Sequence, residues 1–265
     1  MIIDFHTHVF PDRIAERTVS LLKERSGTEP QSDGTVAGLM QRMEEAGVDI
    51  AVALPVLTSP TQFESVSRFA AELNGRFAGE RRRIISFAGI HPECEDIDGK
   101  MRYLRNLGFL GVKIHPDYQG TFINDEKYVR IYNMARELDM IVVTHAGVDE
   151  AFRDQAMRCP TDRILDLLRR APHKKAVFAH LGASADGELI AGEDVYLDTA
   201  YTLKHTSPEV IKRIIERHGE DRILFASDSP WSSINGDIDI IRSLSLGKET
   251  ERKILSENAR ALLGI

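Results

Sequence analysis

The chain has 265 residues and a net charge of −7, with 42% hydrophobic and 28% charged residues, as in ordinary globular proteins. This charge gives no indication of a nucleic-acid partner or of attachment to an anionic membrane, because both are bound mainly by clustered Lys and Arg. Cys94 and Cys159 lack the spacing of zinc ligands, and no run approaches the ~20 apolar residues that span a bilayer, so we expect a cytoplasmic protein with free thiols.

Short apolar runs alternate with stretches of helical periodicity along the whole chain. The runs are rich in Val, Ile, Leu and Ala, which is typical of strands buried on both faces. The predicted strands are Ile2–Phe5, Val48–Leu54, Ile84–Ala88, Gly111–Ile114, Ile141–Thr144, Ala176–Ala179, Val195–Leu197 and Ile223–Ala226. Parallel neighbours need a helical crossover, so eight such units without a break in composition predict an α/β fold, a (β/α)8 TIM barrel in a single domain over residues 1–265. The alternative is an open sheet, but no GxGxxG turn follows its first strand.

Helices are predicted between these strands. Val36–Ala46 repeats apolar residues at the spacing of one helix face, and Gly47 follows where a helix end favours a left-handed residue. Tyr128–Leu138 and Pro208–Ile215 show the same repeat. The longest connection, Phe10–Asp33, is expected to carry its own helix over the mouth of the barrel.

Six of the nine histidines follow the ends of predicted strands. In (β/α)8 barrels the carboxyl ends of the strands form the active-site face, so this placement predicts a site there. These histidines are His6, His8, His91, His115, His145 and His180.

His6 and His8 form an HxH pair on the first strand. Residues two apart on a strand point to the same face, about 6.6 Å apart, so both imidazoles can converge on one ion. The same parity directs Asp4 into the barrel, either as support for the ligands or as a hydrogen-bonded polar group in the barrel floor.

His145 and His180 each follow a buried strand on the same face of the barrel, which favours ligand or catalytic roles over structural ones. Asp228 ends the eighth strand, and closing the barrel places that strand beside His6 and His8. A carboxylate there can bind the metal and accept the proton of an attacking water. The alternative role for Asp228 is an N-cap of the segment that follows.

Lys113 shares one face of the fourth strand with His115. A lysine inside a barrel is rarely left unpaired. Three roles stay open for Lys113: a cation for a substrate carboxylate or phosphate, a carbamate that bridges two metals, or an ion pair with Asp198. His91 and His115 each precede proline, which fixes them at strand ends, where they either bind substrate or make a structural hydrogen bond.

Taken together, the strand-end motifs resemble those of the amidohydrolase superfamily, in particular its branch of metal-dependent barrel hydrolases that also holds non-oxidative decarboxylases. The motifs that carry the resemblance are IIDFHTH, EEAGVDIAVALP, FAGIHPE, GVKIHPDYQ, VVTHAG, FAHLGA, VYLDTA and LFASDSPW, which cover nearly the whole chain. The resemblance implies that His6, His8, His145 and Asp228 hold a metal. It also implies that His180 orients water, acts in proton transfer or binds a second metal, and that Lys113 lies near the position of a carbamylated lysine in one branch.

We therefore expect a metal-dependent hydrolase that uses an activated water to attack a carbonyl of a small-molecule substrate, with Asp228 and His180 as catalytic residues. The expected cofactor is a divalent metal, zinc first, as one or two ions. Two alternatives stay open: a metal-dependent non-oxidative decarboxylase of an unsaturated or aromatic acid, and a non-catalytic metal-binding barrel. The sequence leaves open whether the chain forms a homo-oligomer.

Overall fold

Eight parallel strands form the centre of the protein. The computed structural model describes the backbone of residues 1–265 and all side chains except those of residues 184–186. The strands are β1 (Ile3–Thr7), β2 (Ile50–Ala53), β3 (Arg83–Ser86 and Ala88–Gly89), β4 (Gly111–Ile114), β5 (Ile141–Thr144), β6 (Ala176–Phe178), β7 (Tyr196–Asp198) and β8 (Ile223–Leu224). Each strand pairs in parallel with the next one along the chain, except that β3 is divided at Phe87: its first segment pairs with β2 and its second with β4.

The last strand returns to the first and closes the ring. The backbone N–H of Phe5 donates to the carbonyl of Phe225 at 2.9 Å, and the N–H of Asp228 donates to the carbonyl of His6 at 2.9 Å. Thr7 and Ser229 form a parallel bridge just beyond β8. The predicted (β/α)8 barrel is therefore confirmed.

Helices connect the strands, and most of them surround the ring and cover its outer face. They are α1 (Asp12–Ser26), α2 (Val36–Ala46), α3 (Phe63–Arg76), α4 (Ile97–Asn106), α5 (Pro116–Gln119), α6 (Glu126–Glu137), α7 (Thr161–Arg170), α8 (Pro208–His218), α9 (Ile234–Ser243), α10 (Lys248–Arg252) and α11 (Asn258–Leu263). The helix predicted to end before Gly47 does so, and Gly47 is left-handed with φ 67°. The connection after β1 carries α1, as expected. None of the described helices has the length and apolar composition needed to cross a bilayer.

Two apolar layers result from the alternation of side chains along the strands. One layer fills the barrel with side chains such as Ile50, Val52 and Val143. The other lies between strands and helices and contains Ala51 and Val142 from the same strands. The barrel interior and the helix layer thus bury successive apolar residues on opposite faces of the strands.

β1 departs from this alternation. Its register with β2 is regular at Ile3 and Asp4 and shifts before Thr7, as at a β-bulge. Asp4 pairs with Ala51, which faces the helix layer, and the Asp4 carboxylate accepts hydrogen bonds from the Ser227 hydroxyl and backbone. The prediction that Asp4 shares the inward face of His6 is therefore wrong, because the bulge changes the parity between them.

Candidate active site

A cavity of about 1430 Å³ opens at the carboxyl ends of the strands. Five of the six histidines predicted at strand ends line it, together with Lys113 and Asp228; these histidines are His6, His8, His115, His145 and His180. His91 is not among the described side chains that line this cavity, and its Nδ1 accepts the backbone N–H of Glu93 at 3.1 Å. The site therefore lies on the face of the barrel that the histidine positions predicted.

His6, His8 and Asp228 form a compact cluster at the junction of the first and last strands. Asp228 Oδ1 lies 3.1 Å from His8 Nε2 and 3.5 Å from His6 Nε2. One ligand atom from each of the three residues lies within 4.8 Å of the other two. Burial on its own would raise the pKa of Asp228, but the neighbouring imidazoles of His6 and His8 hold that pKa below its usual value. Asp228 is therefore ionised and faces two imidazole nitrogens.

Both histidines of this cluster are held through the nitrogen that faces away from Asp228. His8 Nδ1 lies 2.9 Å from the carbonyl oxygen of Leu54, which can only accept, so Nδ1 carries the proton. His6 Nδ1 lies 2.9 Å from Asp198 Oδ2 and donates to that carboxylate in the same way. Burial keeps the pKa of His6 well below its usual value, so its Nε2 has an available lone pair. This arrangement is typical of histidines that bind metal ions.

Lys113 reaches the same cluster from β4. Its Nζ lies 3.0 Å from His6 Nε2, and the side chain is almost fully buried. Burial lowers the pKa of Lys113 to about 8, although Asp198 and Asp228 favour its charged form. Among the described ion pairs, Lys113 does not contact Asp198 directly. The structure therefore gives no support to the simple ion pair between these two residues.

His145 and His180 lie beside the cluster and face each other. His180 Nε2 is 2.9 Å from His145 Nδ1, and His180 Nδ1 is 2.8 Å from the carbonyl oxygen of Ala200. Because that carbonyl needs a donor, the proton of His180 is on Nδ1 and its Nε2 is an acceptor. His145 Nε2 is buried and has no hydrogen-bond partner among the described atoms.

A second group contains His145, His115 and Asp149, whose ligand atoms lie within 4.8 Å of one another. The rings of His145 and His115 stack with centroids 3.9 Å apart. His115 Nε2 lies 3.2 Å from Asp149 Oδ2, and its Nδ1 accepts the backbone N–H of Tyr118 at 3.5 Å. Of the four expected metal ligands, three therefore have ligand atoms within 4.8 Å of one another, and His145 belongs to the second group instead.

The donor set suits a divalent ion. Imidazole and carboxylate are ligands for zinc and for several neighbouring transition metals. Burial keeps the pKa of His145 and of His115 well below its usual value, as it does for His6, so these rings are neutral and can coordinate. The buried, unpartnered Nε2 of His145 is a further observation that a bound ion or ligand would explain.

Sequence reasoning did not find Asp149 and considered Asp198 only as a partner of Lys113. Asp198 ends β7, so the rule that identified Asp228 at the end of β8 would also have identified it. Asp149 lies four residues after His145 in a loop, and no periodicity or motif marks that position.

Comparisons with known proteins agree with this architecture. The family whose sequence model matches the chain is described as amidohydrolase, and the match covers residues 3–265. No curated protein matches the sequence.

Solved structures of similar fold cover almost all of the chain. They include 5-carboxyvanillate decarboxylase from Sphingomonas paucimobilis (16% identity, TM-score 0.72, covering 100% of this chain and 99% of that chain). A dihydroxybenzoic acid decarboxylase from Polaromonas sp. JS666 with bound manganese and 2-nitroresorcinol has 17% identity and a TM-score of 0.73, over 99% of this chain and 96% of that chain. An amidohydrolase II has 16% identity and a TM-score of 0.75 over 100% of both chains. At these identities the likeness concerns the fold alone.

Proposed function

The chain belongs to the amidohydrolase family, and we propose that it is a metal-dependent hydrolase that cleaves a small carbonyl compound such as an amide or a lactone. The observation that carries this proposal is the convergence of His6, His8 and Asp228 at the floor of a large open cavity. Two imidazoles and a carboxylate at one point form a donor set for a divalent ion with room for water and substrate.

His6, His8 and Asp228 would hold the ion, with His145 and His180 beside it and zinc as the first candidate. A divalent ion bound there polarises a carbonyl and lowers the pKa of water toward about 7. Hydrolysis needs these properties, and the other parts of the reaction fall to side chains of this protein.

Asp228 accepts the proton of the attacking water and later delivers it to the leaving group. Its carboxylate is ionised, because its pKa lies below the usual value, and it can therefore accept a proton where its Oδ1 faces the His8 and His6 nitrogens. His180 Nε2 is paired with His145 Nδ1 beside the cluster, and a water that replaces His145 as the donor to this nitrogen would have its direction of attack fixed there. Lys113 supplies a buried cation 3.0 Å from His6, where it can neutralise negative charge that develops on the substrate.

The test begins with metal analysis of the purified protein, followed by a panel of amides, lactones and esters. Reaction in H₂¹⁸O should place one labelled oxygen in the carboxylate product, and a chelator should remove the activity. The Asp228→Asn variant serves as the control for contaminating hydrolases. A metal-loaded protein that hydrolyses no member of the panel but releases CO₂ from an acid would contradict the proposal.

A second candidate is non-oxidative decarboxylation of an aromatic or unsaturated acid. It is favoured by a wall of rings beside the cluster: His115 stacks on His145, Tyr118 packs edge-on against His115, and Phe152 packs edge-on against Tyr118. Flat rings stack well on such a wall. Several proteins of similar fold are decarboxylases of aromatic acids, which adds to this candidate. Release of CO₂ without uptake of labelled oxygen would distinguish it from hydrolysis.

A further inference from the structure

The connection after β1 forms a roof over the cavity. Its helix α1 lines the cavity with side chains that include Ile14, Leu22 and Arg25. Two contacts fix the end of this roof to other parts of the barrel: Thr28 Oγ1 lies 3.2 Å from the hydroxyl of Tyr201, and the N–H of Gln31 donates to a carbonyl after β8 at 2.6 Å. The side chains at the end of α1 therefore have a defined place at the cavity mouth.

Three exposed cationic side chains that line the cavity, Arg13, Arg25 and Lys204, have no carboxylate within 4.0 Å among the described side chains. Arg153 and Lys23 differ in this respect, since Arg153 pairs with Glu150 and Lys23 pairs with Glu29. The charges of Arg25 and Lys204 are therefore available to a ligand.

Two tyrosines relate these cations to the cavity wall. Lys204 Nζ lies 5.2 Å from the centre of the Tyr201 ring, whose hydroxyl contacts Thr28, three residues after Arg25. Arg25 and Tyr118 both line the cavity, and the positive charge of Arg25 opposes the rise that burial produces in the pKa of Tyr118. Lys204 thus lies beside an aromatic ring, and Arg25 lines the same cavity.

The cavity is larger than one small ligand at the metal-binding cluster would need. Pockets for small ligands usually measure about 300–1,000 Å³, and this cavity measures about 1430 Å³. A single-ring acid bound at the cluster would leave much of this volume unfilled. A substrate that fills the cavity would extend from the cluster to the roof.

We propose that the mouth of the cavity is a subsite in which Arg25 and Lys204 bind an anionic group of the substrate. This group lies at the end of the substrate that does not react. The substrate is then an organic anion whose charge, a carboxylate or a phosphate ester, is separate from the group that is cleaved. This assignment rests on the proposed function only for the position of the reacting group at the His6–His8–Asp228 cluster.

The experiment compares ligands that differ in one anionic group, by isothermal titration calorimetry on the metal-loaded protein. The pairs are benzoate against terephthalate, and biphenyl-4-carboxylate against biphenyl-4,4′-dicarboxylate. We expect the dianion of at least one pair to bind about tenfold more tightly, and raised salt to reduce that advantage because exposed charges are screened. The corresponding phosphonate tests whether the subsite prefers a phosphate-like group to a carboxylate.

Variants test the assignment of the two cations. Arg25→Gln combined with Lys204→Gln should remove the advantage of the dianion and leave metal content and binding of the monoanion unchanged. Lys23→Gln, which lies on α1 like Arg25, is the matched control and should retain the tighter binding of the dianion. Equal binding of dianion and monoanion in both pairs, or an advantage that survives the double variant, would overturn the proposal. Because binding requires no turnover, failure of the hydrolase proposal would appear separately, as dianion binding without cleavage.

Discussion

Asp198 Oδ2 lies 2.9 Å from Nδ1 of His6, so a carboxylate on β7 holds a histidine on β1 across the barrel. The other carboxylate oxygen of Asp198 accepts the backbone N–H of His180 at 3.0 Å. One fully buried acid thus fixes the tautomer of His6, whose Nε2 faces Asp228, and the backbone position of His180. Partners of this kind affect a metal site although they do not touch the ion.

We predict that Asp198→Asn weakens metal binding by about 10- to 100-fold. The amide can present an N–H to His6 Nδ1 and so favour the tautomer in which Nε2 is protonated and cannot coordinate. Competition with a chromogenic chelator measures the affinity. Asp194→Asn, an exposed change in the loop before the same strand, is the control and should bind metal like the unchanged protein. Equal affinities in the two variants would show that Asp198 does not set the tautomer.

His8→Ala should lose tightly bound metal and remain folded, because His8 supplies one of three converging ligand atoms near the end of the barrel rather than in its apolar core. Metal content by mass spectrometry and the circular dichroism spectrum check both parts. His205→Ala removes an exposed imidazole from the same cavity and should keep its metal. Full metal stoichiometry in His8→Ala would remove His8 from the ligand set.

Asp228→Asn should reduce kcat by roughly 10²- to 10⁴-fold, because the amide cannot accept the proton of the attacking water. The comparison is made at saturating metal, so that weaker coordination does not account for the loss. Steady-state kinetics on any substrate found in the panel provide the measurement. A variant that retains more than a tenth of the activity would exclude proton transfer by Asp228.

Two buried carboxyls predict how stability depends on pH. Burial raises the pKa of Asp4 and of Asp237 from 3.8 to about 7. Between these values the folded protein holds protons that the unfolded chain has released, so the free energy of unfolding falls as pH rises from about 4 to about 7. Above pH 7 both states are ionised and the dependence from these groups levels off.

Asp237→Asn should therefore flatten this pH dependence. The change that it causes in the free energy of unfolding should be more favourable at pH 7.5 than at pH 4, by roughly 1–3 kcal/mol. Urea unfolding at several pH values between 4 and 8 gives the measurement. Asp239→Asn lies on the same helix, is exposed and should leave the slope unchanged. An identical slope in Asp237→Asn would mean that this carboxyl titrates near its ordinary value.

The barrel and most of the side chains that line its candidate site could be predicted from the sequence because their signals are local. Buried strands appear as short apolar runs, and the polar residue that follows each run points to the active-site face, which located His6, His8, His145, His180 and Asp228. The order of the strands then brings Asp228 to His6 by closure, without any signal from the residues between them.

Other parts depended on geometry that the sequence does not display. The bulge in β1 reversed the parity inferred for Asp4, because a single extra residue turns a side chain to the opposite face. The grouping of His145 with His115 depends on ring stacking between neighbouring strands, and Asp149 reaches His115 from a loop. The mutual position of such groups is set by tertiary packing, so their residue types alone could not predict it.

The closure of β8 on β1 also governs when the site can come into existence. His8 and Asp228 are 220 residues apart, so Asp228 emerges from the ribosome long after His8. A nascent chain that carries the HxH pair therefore lacks the carboxylate that completes the cluster. Ion capture at full affinity has to wait until Asp228 has been translated, and chains terminated before Asp228 would be unable to hold the metal with all three residues.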